Sequence, residues 1–301
     1  MPVLVTGGTG FIGSRLVPHL AAAGAQVTVL SRDPARAGRQ FGAGIHCVKD
    51  PSETKERPPR VVVNLAGAGI ADWPWTSRRR VELLDSRIAY TDRLRASLID
   101  TPPEILVSAS AVGYYGVSES REFTEKDGPG EGFAAQLCRR WEASAEAFSA
   151  LGTRVTCVRI GLVLGPGGLL GRMKLPFSLG LGGRLGHGRQ WMSWVHLDDV
   201  VGIFERSITD PELAGAVNAT APASVTNAEF TRTLGQVLKR PTPFPVPAFL
   251  LHSLLGQMAD ELLLAGAYVR PERAQAAAYP FRYPALEDAL RDALGRTDTG
   301  G

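Results

Sequence analysis

The sequence is short of cysteine, and Cys47, Cys138 and Cys157 are scattered without paired spacing. Neither a disulfide framework nor a metal site is expected, and a reducing, cytoplasmic setting suits such a chain. Long apolar runs are also missing. The most apolar late stretch, 246–266, is interrupted by His252, Gln257, Asp260 and Glu261. It falls short of the roughly 18 residues that a membrane span needs, so no membrane partner is expected. Met1-Pro2 leads straight into Val3-Leu4-Val5 with no basic flank, which predicts no secretory leader. Charge of one sign is not in excess either: 33 basic residues face 30 acidic ones, for a net +3. No basic block marks a nucleic-acid footprint. The longest basic run, Arg78-Arg79-Arg80, reads as the solvated start of a helix. Repeats and low-complexity tracts are absent. What remains is an ordinary globular composition, 44% hydrophobic over 301 residues, long enough to bury a core without staples.

Short β-branched runs alternate with helical patterns through the first half. Strands are predicted at Val3–Thr6, Gln26–Ser31, Ile45–Val48, Arg60–Leu65, Glu104–Ala109 and Arg154–Ile160, with a late one at Ala216–Thr220. They are apolar on both faces rather than alternating, as parallel strands covered by helices are. The clearest helix runs from Ser77 to Leu98, with Val81, Leu84, Ile88, Thr91, Leu94 and Leu98 as its apolar stripe. This alternation predicts an α/β fold with a doubly wound parallel sheet. The second half changes texture. A glycine-rich stretch, 161–188, reads as loops around a short helix, and 195–207 as a loop entering a helix. The prolines Pro241, Pro243, Pro245 and Pro247 precede a helix whose stripe of Leu250, Leu254, Met258 and Leu262 reads as core. A last helix, 284–294, leads into a frayed, Gly-ending tail.

Directly after the first strand comes Thr6-Gly7-Gly8-Thr9-Gly10-Phe11-Ile12-Gly13. The glycine spacing G-x-x-G-x-x-G serves three needs: a tight turn at Gly7, backbone approach to a pyrophosphate at Gly10, and close helix–strand packing at Gly13. The helix that follows would offer its free N–H groups to the phosphates, although Pro18 inside it is unusual. Thr9, Phe11 and Ile12 complete the expected contact. At the end of the second strand, Ser31-Arg32 stands where an acidic residue would select NAD. An arginine there accommodates the 2′-phosphate, so NADP(H) is the expected cofactor; Asp33, one place later, reads as a helix cap. Leu65-Ala66-Gly67 after the fourth strand forms a second tight turn suited to the cofactor's ribose and phosphates.

Together with Ser108–Gly116 and Ser193-Trp194-Val195-His196-Leu197-Asp198-Asp199, these motifs resemble the extended short-chain dehydrogenase/reductases, the NAD-dependent epimerase/dehydratase type. The match is closest to a subgroup of nucleotide-sugar epimerase-like proteins with a small C-terminal domain of unknown function. Leu137–Glu142, Pro176-Phe177, Gly180–Gly183, Trp191–Asp199, Pro245–Phe249 and Pro280–Pro284 carry it. The resemblance implies a Rossmann domain over 1–164 plus about 190–220, and a smaller cap over about 165–189 plus 221–301. It also implies a small-molecule substrate in the cleft between them. Ser108 and Arg87 fall beside the implied cofactor, Arg87 where relatives often carry asparagine. A homodimer through the long helices after the fourth and fifth strands is the superfamily's usual assembly.

One expected feature is missing. The superfamily places Tyr-x-x-x-Lys on the helix after the fifth strand, where lysine lowers the tyrosine pKa for proton exchange. Residues four before Lys49, Lys55, Lys126, Lys174 and Lys239 are Ile45, Pro51, Glu122, Leu170 and Gly235, so the pair occurs nowhere. Its positions fall near Ala134 and Cys138. Substitute candidates are Ser110, at the usual serine, then Tyr114 and Tyr115, and the carboxylate of Glu125, which reads more simply as a solvated loop acid or helix cap. Cys138 reads as a reactive thiol if its pKa is depressed and otherwise as the commoner buried, inert one, and Trp141 as packing. Trp191 and Trp194 read equally as ligand wall or core, and Arg159 as pocket residue or ion pair. The aspartates after His196 are expected to cap their helix. Two functions stand open: an NADP(H)-dependent oxidoreductase or epimerase (isomerase) with altered acid–base residues, or a non-catalytic NADP(H) sensor.

Overall fold

A computed structural model describes residues 1–296; the expected tail at 297–301 lies outside them. Seven strands form one parallel sheet: β1 (Pro2–Thr6), β2 (Gln26–Leu30), β3 (His46–Val48), β4 (Val61–Asn64), β5 (Ile105–Ala111), β7 (Arg154–Ile160) and β11 (Gly215–Ala219). Their order is β3-β2-β1-β4-β5-β7-β11, with Val3 opposite Val27 and Val61 and with Val107 opposite Val63 and Thr156. The chain reverses its direction of winding between β1 and β4, the place where open α/β sheets bind ligands. Short pairs decorate the sheet's carboxyl end: β6 (Glu122–Phe123) with β13 (Tyr268–Val269), β8 (Leu162–Leu164) with β10 (Trp194–His196), and β9 (Trp191–Met192) with β12 (Val225–Thr226).

Helices cover both faces. Val3, Val5, Val27 and Val29 pack under α1 (Gly13–Ala22) with α2 (Pro34–Phe41) alongside, while Leu4, Val62 and Leu106 pack on the opposite face. Asp33 caps α2 by accepting from the Arg36 amide at 2.9 Å, with Pro34 at the first helical position. The long helix expected after β4 is α3 (Ser77–Leu84) and α4 (Tyr90–Ser97) joined by a π-turn, Asp85–Ala89. The extra residue of a π-turn rotates everything before it. Val81, expected in the stripe, is thus 56% exposed, and Leu83 and Arg87 face inward instead. Arg79 also departs from the expected solvated run. It is buried, pairs with Glu82 at 2.7 Å and donates to the Gly69 carbonyl.

After β5 a 3-10 turn, Val112–Tyr115, leads towards α5 (Phe133–Glu146), which covers β5 and β7. The glycine-rich stretch holds α6 (Gly168–Ser178), and β10 runs into α7 (Leu197–Thr209), which packs near α1. A second apolar cluster forms beyond the sheet. There Leu164, Leu170 and Trp194 meet Phe230 and Leu234 of α8 (Asn227–Leu238). The expected Leu250–Leu262 helix divides at Gly256, whose φ of +55° breaks it into α9 (Ala248–Leu255) and α10 (Gln257–Leu262). Only Met258 and Ala259 of the pair are buried. Leu250 and Leu254 are 43% and 65% exposed, so the expected core stripe is half surface. Two further helices, α11 (Glu272–Ala276) and α12 (Leu286–Ala293), complete the described chain. Among its residues no helix is long and apolar enough to cross a membrane.

Candidate functional site

β1 ends at Thr6, whose hydroxyl donates to Asn64 Oδ1 at 2.7 Å and so ties β1 to β4. Gly7 then turns with φ +65°, and a Cβ there would lie 2.6 Å from the Leu65 carbonyl oxygen. A Cβ at Gly13 would lie 2.5 Å from the carbonyl oxygens of Gly7 and Gly8. Both glycines are therefore packing requirements. Gly10 is different: a Cβ would meet only the Gly7 oxygen, at 3.2 Å, leaving the loop's outer side open. The amides of Phe11, Ile12 and Gly13 donate to no acceptor among the described residues, and no side chain caps α1. Three successive free N–H groups at a helix start carry the positive end of its dipole, so this cradle fits a pyrophosphate. Phe11 itself turns away, its ring packed over Gly165 and Gly168. Thr9 is exposed at the tip of the loop.

At the end of β2, Arg32 is exposed with no hydrogen-bond partner among the described residues, and its charge faces Tyr90 near Thr6. Ser31 spends its hydroxyl locally, accepting from the Asp33 amide at 3.2 Å. Asp33 points back to cap α2, which leaves Arg32 as the group presented to a ligand.

Beyond β4, the turn Leu65-Ala66-Gly67 runs over the sheet end, and Gly67 is exposed. Arg87 backs it. Its guanidinium donates to the Ala68 carbonyl at 2.9 Å and lies over the Trp141 ring at 5.0 Å. Ser108 does not reach the cleft. It is fully buried within the sheet, where Asn64 Nδ2 approaches it at 3.5 Å. Its work is to hold Asn64.

Ser110 is 2% exposed and donates to Glu142 Oε1 at 2.6 Å. Arg159 meets the same carboxylate through Nε and Nη2, at 2.9 and 2.8 Å. Its Nη1 donates to the Tyr115 hydroxyl at 2.9 Å, and that hydroxyl donates to Asn218 Oδ1 at 2.7 Å. Burial opposes the Arg159 charge, but Glu142 outweighs it and holds the guanidinium pKa above its ordinary value. Tyr115 is only 2% exposed, and burial pushes its pKa up to about 12 despite Arg159. The network thus consumes the Tyr115 hydroxyl. Tyr114 is left half-buried beside it, its ring under Arg159 Cζ at 3.5 Å, and its hydroxyl has no partner among the described residues.

Glu125 lies on the far side of this network rather than in solvent. Its Oε1 accepts from the amides of Asn218 at 2.9 Å and Arg273 at 3.3 Å. Oε2 is buried without a partner among the described residues, and burial raises the carboxyl pKa. Ala134 and Cys138 of α5 lie against Gly113, where a Cβ would sit 3.3 Å from the Ala134 methyl and 3.9 Å from Cys138 Sγ. Burial pushes the Cys138 thiol up to about 12, the inert state expected of it.

Other expected residues resolve simply. Trp194 is core, whereas Trp191 packs edge-on against Tyr268 at 4.9 Å. His196, not the aspartates, caps α7, with Nδ1 accepting from the Asp198 amide at 3.2 Å. Asp198 instead pairs with Arg15, and buried Asp199 accepts from the amides of Arg282 and Tyr283. Sequence reasoning missed Glu142 and Asn218. Glu142 lies one turn beyond Cys138 on the same face of α5, a spacing that extending the dyad search would have exposed. A groove of about 530 Å³ between α1 and α7 is lined by Arg15, Pro18, His19 and Tyr279; none of the expected site residues lines it.

The strand order and the glycine cradle at its switch point define a Rossmann-type α/β protein. The model of the NAD dependent epimerase/dehydratase family matches residues 3–219, and the chain belongs to that family. Residues 246–293 match a domain of unknown function. The chain is 40% identical over 296 residues to an epimerase family protein of Mycobacterium bovis, covering 98% of each. It is 41% identical over 302 residues to the chloroplastic SDR39U1 homolog of Arabidopsis thaliana, covering 97% of this chain and 86% of that one. A crystal structure of human epimerase family protein SDR39U1 (isoform2) with NADPH is similar at a TM-score of 0.87 and 35% identity, over 99% of this chain and 100% of that one.

Proposed function

We propose that this protein binds NADP(H) across the β1–β4 switch point and works as an oxidoreductase or epimerase with altered acid–base residues. The observation that carries the reading is the run of three unbonded amides, Phe11, Ile12 and Gly13, opening α1 at the end of β1. Those amides would hold the diphosphate, with Gly10 giving the close approach. Arg32 would hold the 2′-phosphate, and Leu65, Ala66 and Gly67 would take the riboses. The relative solved with NADPH supports the choice of cofactor. When bound, the cofactor supplies hydride chemistry; the chain's own residues bind, orient and protonate.

Of the four acid–base candidates, Tyr114 suits proton donation best, because its hydroxyl is uncommitted and half-accessible. A neutral phenol hydroxyl can donate a proton to a developing oxyanion but is a poor base. Ser110 gives its proton to Glu142, so it presents only lone pairs to a substrate hydroxyl. Tyr115 and Glu125 act as positioning residues through Asn218. The small-molecule substrate occupies the cleft between the Rossmann part and the cap formed by about 165–189 and 221–301. A cytoplasmic homodimer through α4 and α5 belongs to the same reading.

The sensor reading keeps one observation in its favour: Ala134 and Cys138 offer no acid or base where the dyad is expected. Small molecules carried through gentle purification separate the two. Mass spectrometry of the native and denatured protein should find NADP(H) with a second compound for the enzyme, and NADP(H) alone for the sensor. Retained turnover in both Tyr114→Phe and Tyr115→Phe would remove the tyrosines from the mechanism.

A further inference from the structure

We propose that Arg87 holds an anionic group of the substrate, so that the substrate is a carboxylate or another small organic anion. This rests on the NADP(H) reading above and adds the substrate class. Three arginines are buried among the described residues: Arg79, Arg87 and Arg159. Two of them have a carboxylate, Glu82 for Arg79 at 2.7 Å and Glu142 for Arg159 at 2.8 Å. Arg87, only 8% exposed, has none. Its partners are neutral: the carbonyls of Leu83 and Ala68, the hydroxyl of Ser86 and the face of the Trp141 ring at 5.0 Å. Its Nε donates to no protein acceptor among the described residues.

The surroundings add no negative charge. Burial lowers the Arg87 pKa, and the nearby Arg79 lowers it further. Cys138, the neighbour that would help if ionised, is held as a thiol by burial. Glu142 is already shared between Arg159 and Ser110. Buried charges in folded proteins are normally paired, so an unpaired guanidinium implies a counter-anion that arrives from outside.

Placement supports the same conclusion. The π-turn Asp85–Ala89 brings Arg87 inward from the helix facing α5, and such turns often mark functional sites. On the facing side of α5, Ala134 and Cys138 carry no charge to pair with it. Exposed Gly67 is the cover on this side, since a Cβ on it would lie 3.0 Å from the guanidinium carbon. The pyrophosphate cradle belongs to α1, at the end of β1. Arg87 stands instead under the turn after β4 and near Cys138, which itself neighbours Ser110.

The test uses the full chain, with and without saturating NADPH, and oxalate as probe against neutral oxamide, at constant ionic strength. Calorimetric titration should show saturable oxalate binding, none for oxamide, and at least about tenfold weaker oxalate binding in Arg87→Gln. Arg87→Lys, which keeps the charge and guards against a folding defect, should retain part of the affinity. Because Arg87 also backs the Leu65–Gly67 turn, NADPH affinity should fall in Arg87→Gln by a clearly smaller factor than oxalate affinity. Equal oxalate binding by wild type and Arg87→Gln, or none by wild type, overturns the proposal. Loss of NADPH binding in Arg87→Gln would assign the arginine to the cofactor and overturn it too. Failure of wild type to bind NADPH strikes the cofactor reading instead, and the oxalate titration of the free protein still decides the role of Arg87.

Discussion

Replacing Arg159 by methionine should be among the most damaging single changes in this protein. Methionine keeps much of the side-chain volume and removes three donors, two to Glu142 and one to the Tyr115 hydroxyl. It leaves the Glu142 carboxylate, 12% exposed, with the Ser110 hydroxyl as its hydrogen-bond donor. Removing one partner of a buried ion pair costs about 3–5 kcal/mol, since the other charge stays desolvated. Unfolding entropy near 2.1 cal/mol/K per residue gives about 0.6 kcal/mol/K for a chain of this length, so the melting temperature should fall by about 5–8 °C. Adding Glu142→Gln removes the orphaned charge and should restore about half of the loss or more. Urea unfolding of wild type, both singles and the double variant measures the coupling. A cost for Arg159→Met below about 1 kcal/mol, or single costs that simply add, would refute the reasoning.

Three further expectations follow from other parts of the structure. Gly13→Ala drives a methyl to 2.5 Å from two backbone oxygens, so it should cost about 1–3 kcal/mol by overpacking and also weaken NADPH binding; unchanged melting and titration curves would contradict the packing role. Burial raises the Glu125 pKa above its unfolded value, so its stabilising contribution is complete below the ordinary carboxylate range and is lost as pH rises through the folded pKa. Glu125→Gln should therefore gain stability relative to wild type as pH rises above about 4, and a difference that stays flat with pH in urea unfolding would count against a buried charge there. Tyr115→Phe removes one buried hydroxyl from the Arg159–Asn218 link and should cost about 1 kcal/mol, whereas the same change at half-buried Tyr114 should leave stability within about 0.5 kcal/mol; denaturant midpoints decide it.

The sheet was readable because parallel strands buried on both faces leave uninterrupted apolar runs, and Arg154–Ile160 matches β7 residue for residue. The glycine loop was readable for a related reason: Gly7 and Gly13 meet backbone so closely that no other residue fits. Periodicity failed where the backbone departs from a uniform helix. The π-turn at Asp85–Ala89 shifts the stripe and exposes Val81, and Gly256 divides what reads as a single helix into α9 and α10. The site divided along the same line. The exposed place of Arg32 at the end of β2 was legible, but the Ser110–Glu142–Arg159–Tyr115–Asn218 chain joins residues from β5, α5, β7, the 3-10 turn after β5 and β11. No local spacing records such pairings. Tyr115 therefore looked as available as Tyr114 until the fold showed its hydroxyl committed.

Cofactor titration of wild type and Arg32→Glu tests the central claim most directly. If the α1 amides hold the diphosphate and Arg32 holds the 2′-phosphate, wild type should bind NADPH at least about tenfold more tightly than NADH. Arg32→Glu should lose most of that preference while NADH affinity changes little. Failure of wild type to bind either dinucleotide, or equal losses for both in the variant, would contradict the account.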